Sequence, residues 1–79
     1  MKLIILQPDN TIFNGEVESV TFPGKMGQFS LLNRHAPLIS VLRKGTIKYR
    51  REKSDIFDYL KINGGFIKVR NNIITVCID

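Results

Sequence analysis

Short apolar runs, interrupted about every ten residues by glycine, proline, asparagine or aspartate, dominate the hydrophobic pattern of the chain. Isoleucine, valine, phenylalanine, tyrosine and threonine recur within these runs, and these residue types favour extended strands. No stretch carries an apolar stripe of helical period long enough for a stable helix. The pattern therefore predicts an all-β fold, a small two-sheet β-sandwich of about eight to ten short strands.

Turn residues set the bounds of the individual strands. We predict turns at Pro8–Asp9, at Asn14–Gly15, between Gly24 and Gly27, and at Asn71–Asn72, where the asparagines favour a type I′ turn. An irregular edge is expected at residues 35–37, because proline lacks the amide that a central strand needs. The predicted strands cover residues 2–7, 11–13, 16–22, 28–32, 38–42, 46–51, 55–62, 66–69 and 73–78.

Two of these segments carry further detail. In residues 16–22, Val17 has one parity and Phe22 the other, so we predict a bulge near Ser19 that turns both side chains into the core. In residues 46–51, Ile47 and Tyr49 alternate with basic residues, as a half-buried strand requires. The hairpin that follows is expected to bring an aspartate, Asp55 or Asp58, near this basic strand.

Length and composition limit the possible classes of protein. The chain has 79 residues, of which 43% are hydrophobic and 24% charged, so we expect one globular domain spanning residues 1–79. The longest apolar run, residues 3–6, is too short to cross a bilayer or to act as a secretory signal, and a cytoplasmic or matrix location is expected. The formal charge of +5 favours phosphates, anionic lipids or acidic protein surfaces as partners.

The chain contains few groups for catalysis. Neither of the two common glycine-rich phosphate-binding motifs is present. His35 is the only histidine, and no spacing assembles it with Ser30, Ser40 or Asp9, so we interpret it as a loop or interface residue. Cys77 is the only cysteine, which excludes an internal disulfide, and its apolar neighbours favour a buried thiol. We therefore predict no catalytic residue, no cofactor, no metal site and no small-molecule substrate.

One basic segment leaves an alternative open. Residues 43–53 are rich in cations and contain Tyr49, and such a pattern occurs in small β-barrels that bind single-stranded nucleic acid. Tyr49 is expected on the opposite strand face from its basic neighbours, so a solvated outer face is the favoured interpretation and no nucleic acid is expected. The cations of this segment are Arg43, Lys44, Lys48, Arg50, Arg51 and Lys53.

The order of the turn motifs resembles that of a known family. The residues that carry the resemblance are Gln7-Pro8-Asp9, Phe13-Asn14-Gly15-Glu16-Val17, Pro23-Gly24, the block from Gly27 through His35-Ala36-Pro37-Leu38, Lys44-Gly45 and Gly64-Gly65-Phe66. Together they span nearly the whole chain and resemble the N-terminal β-sandwich domain of the epsilon subunit of F-type ATP synthases.

The resemblance implies a structural role in the rotor of a proton- or sodium-translocating ATP synthase. A domain of this kind binds the gamma subunit and the c-ring, has no active site, and lies at the cytoplasmic face of a bacterial membrane or its organellar equivalent, associated with the membrane only through the complex. Many relatives continue into a C-terminal helical hairpin that regulates ATP hydrolysis or binds ATP, and if residues 1–79 are the complete protein, this regulation is expected to be absent. By position, the residues expected at the gamma subunit are Ile12, Phe13, Arg34, His35, Ala36, Pro37, Leu38 and Ser40. Those expected at the c-ring are Lys25, Met26, Gly27, Gln28, Phe29 and Ser30. On residue type, Leu32 and Leu38 are expected in the core.

Overall fold

The structure is a computed structural model that describes residues 1–79, and it contains eight strands and no helix. The predicted all-β class is confirmed. The strands are β1 (Lys2–Gln7), β2 (Asn10–Gly24), β3 (Gly27–Leu32), β4 (Leu38–Leu42), β5 (Gly45–Arg51), β6 (Phe57–Ile62), β7 (Gly65–Arg70) and β8 (Ile73–Ile78). The bounds of β1, β4 and β8 are those predicted, whereas β6 begins at Phe57 instead of Asp55.

Hydrogen-bonded pairing is continuous through all eight strands, and the sheet folds over on itself into two layers. In the first layer β4, β7, β8 and β1 lie side by side, and the first half of β2 follows β1. In the second layer the order is β3, the second half of β2, β5 and β6. All pairs are antiparallel except β1 with β8. Strands β3 and β6 each pair on one side only, so each has a free edge.

Strand β2 is longer than predicted because it continues through Asn14 and Gly15. Both residues pair with β1, so the predicted turn at this dipeptide is wrong. The glycine serves packing instead, since a Cβ on Gly15 would lie 3.0 Å from the ring of Phe13. A strand that pairs along its whole length overrides the local turn preference of the Asn-Gly sequence.

The predicted bulge in β2 is confirmed. The register of β2 against β5 shifts between Val17 and Ser19. The extra residue lets Val17, Val20 and Phe22 all point inward, and each is at most 2% exposed. Strand β2 passes from one layer to the other at this point.

Sixteen buried apolar side chains fill the space between the layers, and no polar or charged residue is buried. Burying one such side chain stabilises the fold by about 1.5–3 kcal/mol before its loss of conformational entropy is subtracted. The core consists of Met1, Leu3, Ile5, Val17, Val20, Phe22, Leu31, Leu42, Ile47, Tyr49, Ile62, Ile67, Val69, Ile74, Val76 and Ile78.

Two residues expected in the core lie elsewhere. Leu32 is 64% exposed, because side chains alternate along β3 and its neighbour Leu31 takes the core position. Cys77 is half-buried, since Val76 takes the core position and Cys77 points to the other face of β8. Leu38 packs against the core as predicted, although it remains partly exposed.

The predicted turn between β7 and β8 is confirmed. Asn71 and Asn72 have φ angles of 52° and 62°, and a type I′ turn requires positive φ at both central positions. The β5–β6 hairpin also pairs as expected, because Nε of Arg51 donates to Oδ2 of Asp58 at 3.0 Å. This ion pair fixes which of the two candidate aspartates lies near the basic strand.

Candidate docking surfaces

The loop at residues 33–37 is held to the β7–β8 turn by side-chain hydrogen bonds. The backbone N–H of Arg34 donates to Oδ1 of Asn72 at 2.8 Å, and Nδ2 of Asn72 donates to Oδ1 of Asn33 at 2.8 Å. Arg34 has a φ of 64°, a left-handed conformation that costs free energy unless surrounding contacts hold it. Sequence reasoning selected Arg34 as a contact residue but missed Asn72, which positions it. The two are far apart in sequence, and only the fold brings them together.

His35, Ala36 and Pro37 form the exposed part of this loop. Nδ1 of His35 donates to the backbone carbonyl of Ala36 at 2.7 Å, and the ring makes no other hydrogen bond and no ion pair. The histidine is exposed on the loop, and its position suits contact with another molecule.

An apolar row crosses the outer face of the first layer. Val41 of β4, Phe66 of β7, Cys77 of β8 and Leu6 of β1 are consecutive cross-strand partners. Val41 is 55% exposed and Phe66 51%, and Ile39, on the same face of β4, is 76% exposed. These five residues are called the apolar outer face below. Contiguous exposed apolar residues mark surfaces at which a protein meets a partner.

Strand β4 explains why sequence reasoning missed this face. Every residue of β4 except Ser40 is apolar, so the sequence does not indicate which side chains point outward. Leu38 and Ser40 pair with buried residues of β7 and lie on the core side, whereas Ile39 points outward. The signal in the sequence was that β4 does not alternate between apolar and polar residues. A strand that is apolar on both faces is normally covered on both faces.

The two remaining residues expected at the gamma subunit lie apart from the loop at residues 33–37. Phe13 is half-buried, with its ring centroid 4.7 Å from that of Tyr49 and the guanidinium of Arg51 5.6 Å above it. Ile12 is 37% exposed and lies where the register of β1 against β2 shifts. Phe13 therefore contributes to packing between β2 and β5.

The β2–β3 hairpin projects from the opposite end of β3. Lys25, Met26, Gly27 and Gln28 are all exposed, and Met26 is 98% exposed. The backbone N–H of Lys25 donates to the carbonyl of Val41 at 2.9 Å, which ties the turn to β4.

The base of the hairpin is firmly packed. The ring of Phe29 lies 5.6 Å, centroid to centroid, from the buried ring of Phe22. The hydroxyls of Ser30 and Thr21 form a hydrogen bond of 2.8 Å across the two strands. Of the six residues expected at the c-ring, four are thus exposed at the tip and two anchor it.

Two aromatic side chains join the cations on the outer face of β5 and β6. In the hairpin register Lys48 pairs with Tyr59 and Arg50 pairs with Phe57. Nζ of Lys48 lies 4.2 Å from the centroid of the Phe57 ring, a cation–π contact. Lys48, Arg50, Phe57, Tyr59 and Lys61 are called the basic outer face below. Sequence reasoning missed the aromatics because it did not determine this register.

Tyr49 faces the core, on the opposite side of β5 from Lys48, as predicted, and is 8% exposed. Burial raises the pKa of the Tyr49 hydroxyl above its usual 10.0, and the charge of Asp58 raises the pKa further, while Arg51 acts in the opposite direction. Because Tyr49 is inside, it supplies no stacking surface to a molecule outside β5.

Other kinds of site find no support in the geometry. No group of three or more histidine, cysteine, aspartate or glutamate side chains is arranged to hold a metal ion. The surface depressions are shallow and open to solvent. No helix long and apolar enough to cross a membrane is present.

Comparison with known proteins identifies relatives along the whole chain. A family model described as the β-sandwich domain of the ATP synthase delta/epsilon chain matches residues 1–79. The ATP synthase epsilon chain of Leptospira interrogans is 33% identical over 79 residues, and that of a Nitratiruptor species is 38% identical over 79 residues. These matches cover 100% of this chain but 61% and 60% of the relatives, so the chain spans about three-fifths of their length.

Solved structures share the fold. A chain in the central stalk and c-ring structure of the Tetrahymena thermophila mitochondrial ATP synthase superposes with a TM-score of 0.81 at 19% identity, covering 99% of this chain and 62% of that one. A chain in the OSCP/F1/c-ring structure of the Euglena gracilis mitochondrial ATP synthase gives a TM-score of 0.88 at 23% identity, covering 96% of this chain and 48% of that one.

Proposed function

Because the chain belongs to the family of ATP synthase delta/epsilon β-sandwich domains, we propose that residues 1–79 form one non-catalytic domain in the rotor of an F-type ATP synthase. The domain binds the gamma subunit and rests on the c-ring, and it helps to couple ion flow to ATP synthesis. In a bacterium it lies at the cytoplasmic face of the plasma membrane, associated with the membrane only through the complex.

The apolar outer face is the observation that carries this proposal. Ile39, Val41 and Phe66 are each more than half exposed, although strands of this composition are normally covered on both sides. The face adjoins the loop at residues 33–37, through β4, which starts directly after Pro37. We assign the gamma subunit to this combined surface, with Arg34 and His35 at its polar rim.

The β2–β3 hairpin suits the contact with the c-ring. It offers a short exposed tip with a cation, Lys25, and a flexible apolar side chain, Met26, above a packed base. The hydrogen bond from Lys25 to Val41 joins this tip to a strand of the apolar outer face. A displacement at one proposed contact is therefore passed through backbone to the other.

The proposed role requires stiffness more than chemistry. The loop at residues 33–37 and the hairpin tip lie at opposite ends of β3, about 20 Å apart for a strand of this length. Between them lies a core with no buried polar group. Interiors packed at crystal-like density transmit strain instead of absorbing it, as a part of a rotating stalk must do.

The proposal is tested by binding to the purified gamma subunit of the same organism. Size-exclusion chromatography and titration at low and moderate salt are expected to give a stable complex that survives added salt, because the surface is mainly apolar. Val41→Asp places a carboxylate on that surface, beside Phe66, and is expected to weaken binding at least about 100-fold, since a charge buried without a partner costs several kcal/mol.

The matched control is Tyr59→Asp, which places the same charge at a residue that is 66% exposed on the other layer. It is expected to leave gamma binding unchanged, and thermal unfolding of both variants checks that the fold is intact. Absence of a complex with the unaltered chain, or equal loss of binding in both variants, contradicts the proposed surface.

A further inference from the structure

Strand β6 has a free edge along which another strand can pair. It pairs only with β5, in an antiparallel register that runs without a bulge from the pair of Gly45 and Ile62 to the pair of Arg50 and Phe57. The strand contains no proline.

Free edges leave backbone N–H and C=O groups unpaired, and proteins normally protect them with bulges, prolines, lysines or inward-pointing charges. Of these, β6 has Asp58 on its inner face, paired with Arg51, and Lys61 on its outer face, a lysine that repels a basic strand but attracts an acidic one. Phe57 and Tyr59 of β6 are 39% and 66% exposed, and Ile56, which directly precedes the strand, is 73% exposed.

Positive charge accumulates beside this edge without compensation. The structure contains two ion pairs, Met1 with Glu16 and Arg51 with Asp58, and neither involves the basic outer face. Arg50 donates from Nη1 to the backbone carbonyl of Ser54 at 2.8 Å, so its charge is held in place but not neutralised.

Two lysines extend the positive charge to the end of β6. Lys61 and Lys44 line a shallow cleft together with Thr46 and Asn63. No carboxylate lies within 4.0 Å of either ammonium group. The nearest acid along β6 is Asp58, which belongs to the opposite face of the strand and is paired with Arg51.

Lys48 brings its charge within reach of a molecule at the edge. The residue belongs to β5, but its Nζ lies over the ring of Phe57 in β6. A strand added to β6 would lie about 4.8 Å beyond it. Carboxylates on the outer face of such a strand would meet Lys48 and Lys61, and its backbone would meet the free edge.

We propose that the edge of β6 and the basic outer face bind an extended acidic segment of a partner protein, which adds to the second layer as a further strand. Main-chain hydrogen bonds supply affinity and the alternate side chains supply selectivity, as in other cases of strand addition. This surface lies on the opposite layer from the apolar outer face, so the inference does not depend on the proposed function.

Two features favour this occupant over others. A second copy of the chain would bring Lys61 and Lys48 against like charges, which disfavours pairing of β6 with itself. A lipid surface or a nucleic acid would satisfy the cations but would leave the backbone groups of the straight edge unpaired, because neither offers a matching row of peptide groups.

The experiment uses a capped, fluorescein-labelled peptide of alternating glutamate and valine that is long enough to cover β6. Its binding to the chain is measured by fluorescence anisotropy, and a peptide of alternating lysine and valine serves as the charge control. Amide hydrogen exchange, followed by NMR, reports where the peptide lies. The acidic peptide is expected to bind and to slow exchange at β6 amides, and the basic peptide is expected not to bind.

Charge reversal tests the side chains. The double variant Lys48→Glu with Lys61→Glu is expected to bind the acidic peptide about tenfold more weakly, from the loss of two surface charge contacts. Lys68→Glu, an exposed lysine on the outer face of the other layer, is the matched control and is expected to change affinity by less than about twofold.

Each other outcome overturns the inference. Absence of binding does so, as does binding that protects β3 or β7 amides while β6 is unaffected. Binding of phosphatidylglycerol vesicles or of a single-stranded oligonucleotide through Lys48 and Lys61, with no binding of the acidic peptide, assigns the surface to lipid or to nucleic acid instead.

Discussion

The two outer faces of this small sandwich differ in chemistry although one core supports both. The apolar outer face exposes Ile39, Val41 and Phe66, with no charged residue in the row from Val41 to Leu6. The basic outer face exposes Tyr59 among cations and carries no acid. Contact with the first is expected to be insensitive to salt, whereas contact with the second weakens as salt screens its charges.

The difference shows how a chain of 79 residues can present two surfaces without conflict. Except in β2, where the bulge changes the parity, the core uses one parity of each strand, so the opposite parity is free to match a partner. In β4 the free positions are apolar, and in β5 two of the three, Lys48 and Arg50, are basic. This contrast requires that both faces depend on one folding unit. It also requires that Asn72 positions the loop beside the apolar outer face and that Tyr49 is buried beneath the basic outer face.

The largest effect is expected from Gly65→Ala, which tests whether both faces depend on one folding unit. Gly65 has a φ of 156°, and an added Cβ would collide with the backbone carbonyl of Cys77. We expect a loss of roughly 3 kcal/mol or more in unfolding free energy, measured by urea denaturation. Because hydrogen-bonded pairing is continuous from β7 to β6, amides of both strands should exchange faster together.

Gly64→Ala is the matched control for this change. Its φ of 153° is nearly the same, but an added Cβ would lie 3.5 Å from the nearest atom, the carbonyl oxygen of Leu42. We expect Gly64→Ala to lower the unfolding free energy only by the cost of holding alanine at this φ, about 1 kcal/mol. If Gly65→Ala speeds exchange in β7 and leaves β6 protected, the two layers unfold separately and the faces are independent units.

A smaller effect is expected from Asn72→Gly, which acts on the loop beside the apolar outer face. Glycine accepts the positive φ of this position but removes the hydrogen bonds to Arg34 and Asn33. We expect Asn72→Gly to be about 1 kcal/mol less stable than Asn71→Gly, in thermal unfolding, and to bind the gamma subunit several-fold more weakly.

Asn71→Gly is the suitable reference because Asn71 occupies the same turn with a φ of 52° and makes no side-chain hydrogen bond. Equal stability and equal gamma affinity of the two variants would mean that Asn72 does not position the loop. The proposed gamma-binding surface would then consist of the apolar outer face without a loop positioned by Asn72.

The fold was largely predictable because local signals determine it. Alternation identified β5, turn residues bounded β1, β4 and β8, and the parity conflict between Val17 and Phe22 located the bulge. The error at Asn14–Gly15 has a physical cause. A turn preference is local, whereas pairing with β1 is not, and the pairing contributes more free energy.

The candidate surfaces were less predictable because they depend on long-range pairing. Arg34 and the exposed hairpin tip followed from the family resemblance, but Asn72 did not, since its role exists only when two turns meet. The apolar outer face required the parity of β4, and the basic outer face required the register of β6 against β5. Leu32 and Cys77 were misplaced for the same reason, as composition does not reveal parity.

The smallest effect on stability at neutral pH is expected from the hydroxyl of Tyr49, which lies beneath the basic outer face. Its pKa is raised in the folded chain above the usual 10.0, mainly by burial and then by Asp58, so the folded state holds this proton more tightly than the unfolded state does. The associated stability is fully present below pH 10.0 and is lost as the pH rises through the folded-state pKa.

Urea denaturation from about pH 8 to about pH 11 should therefore show that unfolding free energy falls at the alkaline end, and that Tyr49→Phe lacks this part of the fall. Tyr59→Phe, at an exposed tyrosine on the opposite face of the same hairpin, should keep it. If Tyr49→Phe and the unaltered chain lose stability in parallel, the hydroxyl of Tyr49 is as well hydrated as that of an unfolded chain. Water would then reach the inner side of β5, and no water-free core would lie directly beneath the basic outer face.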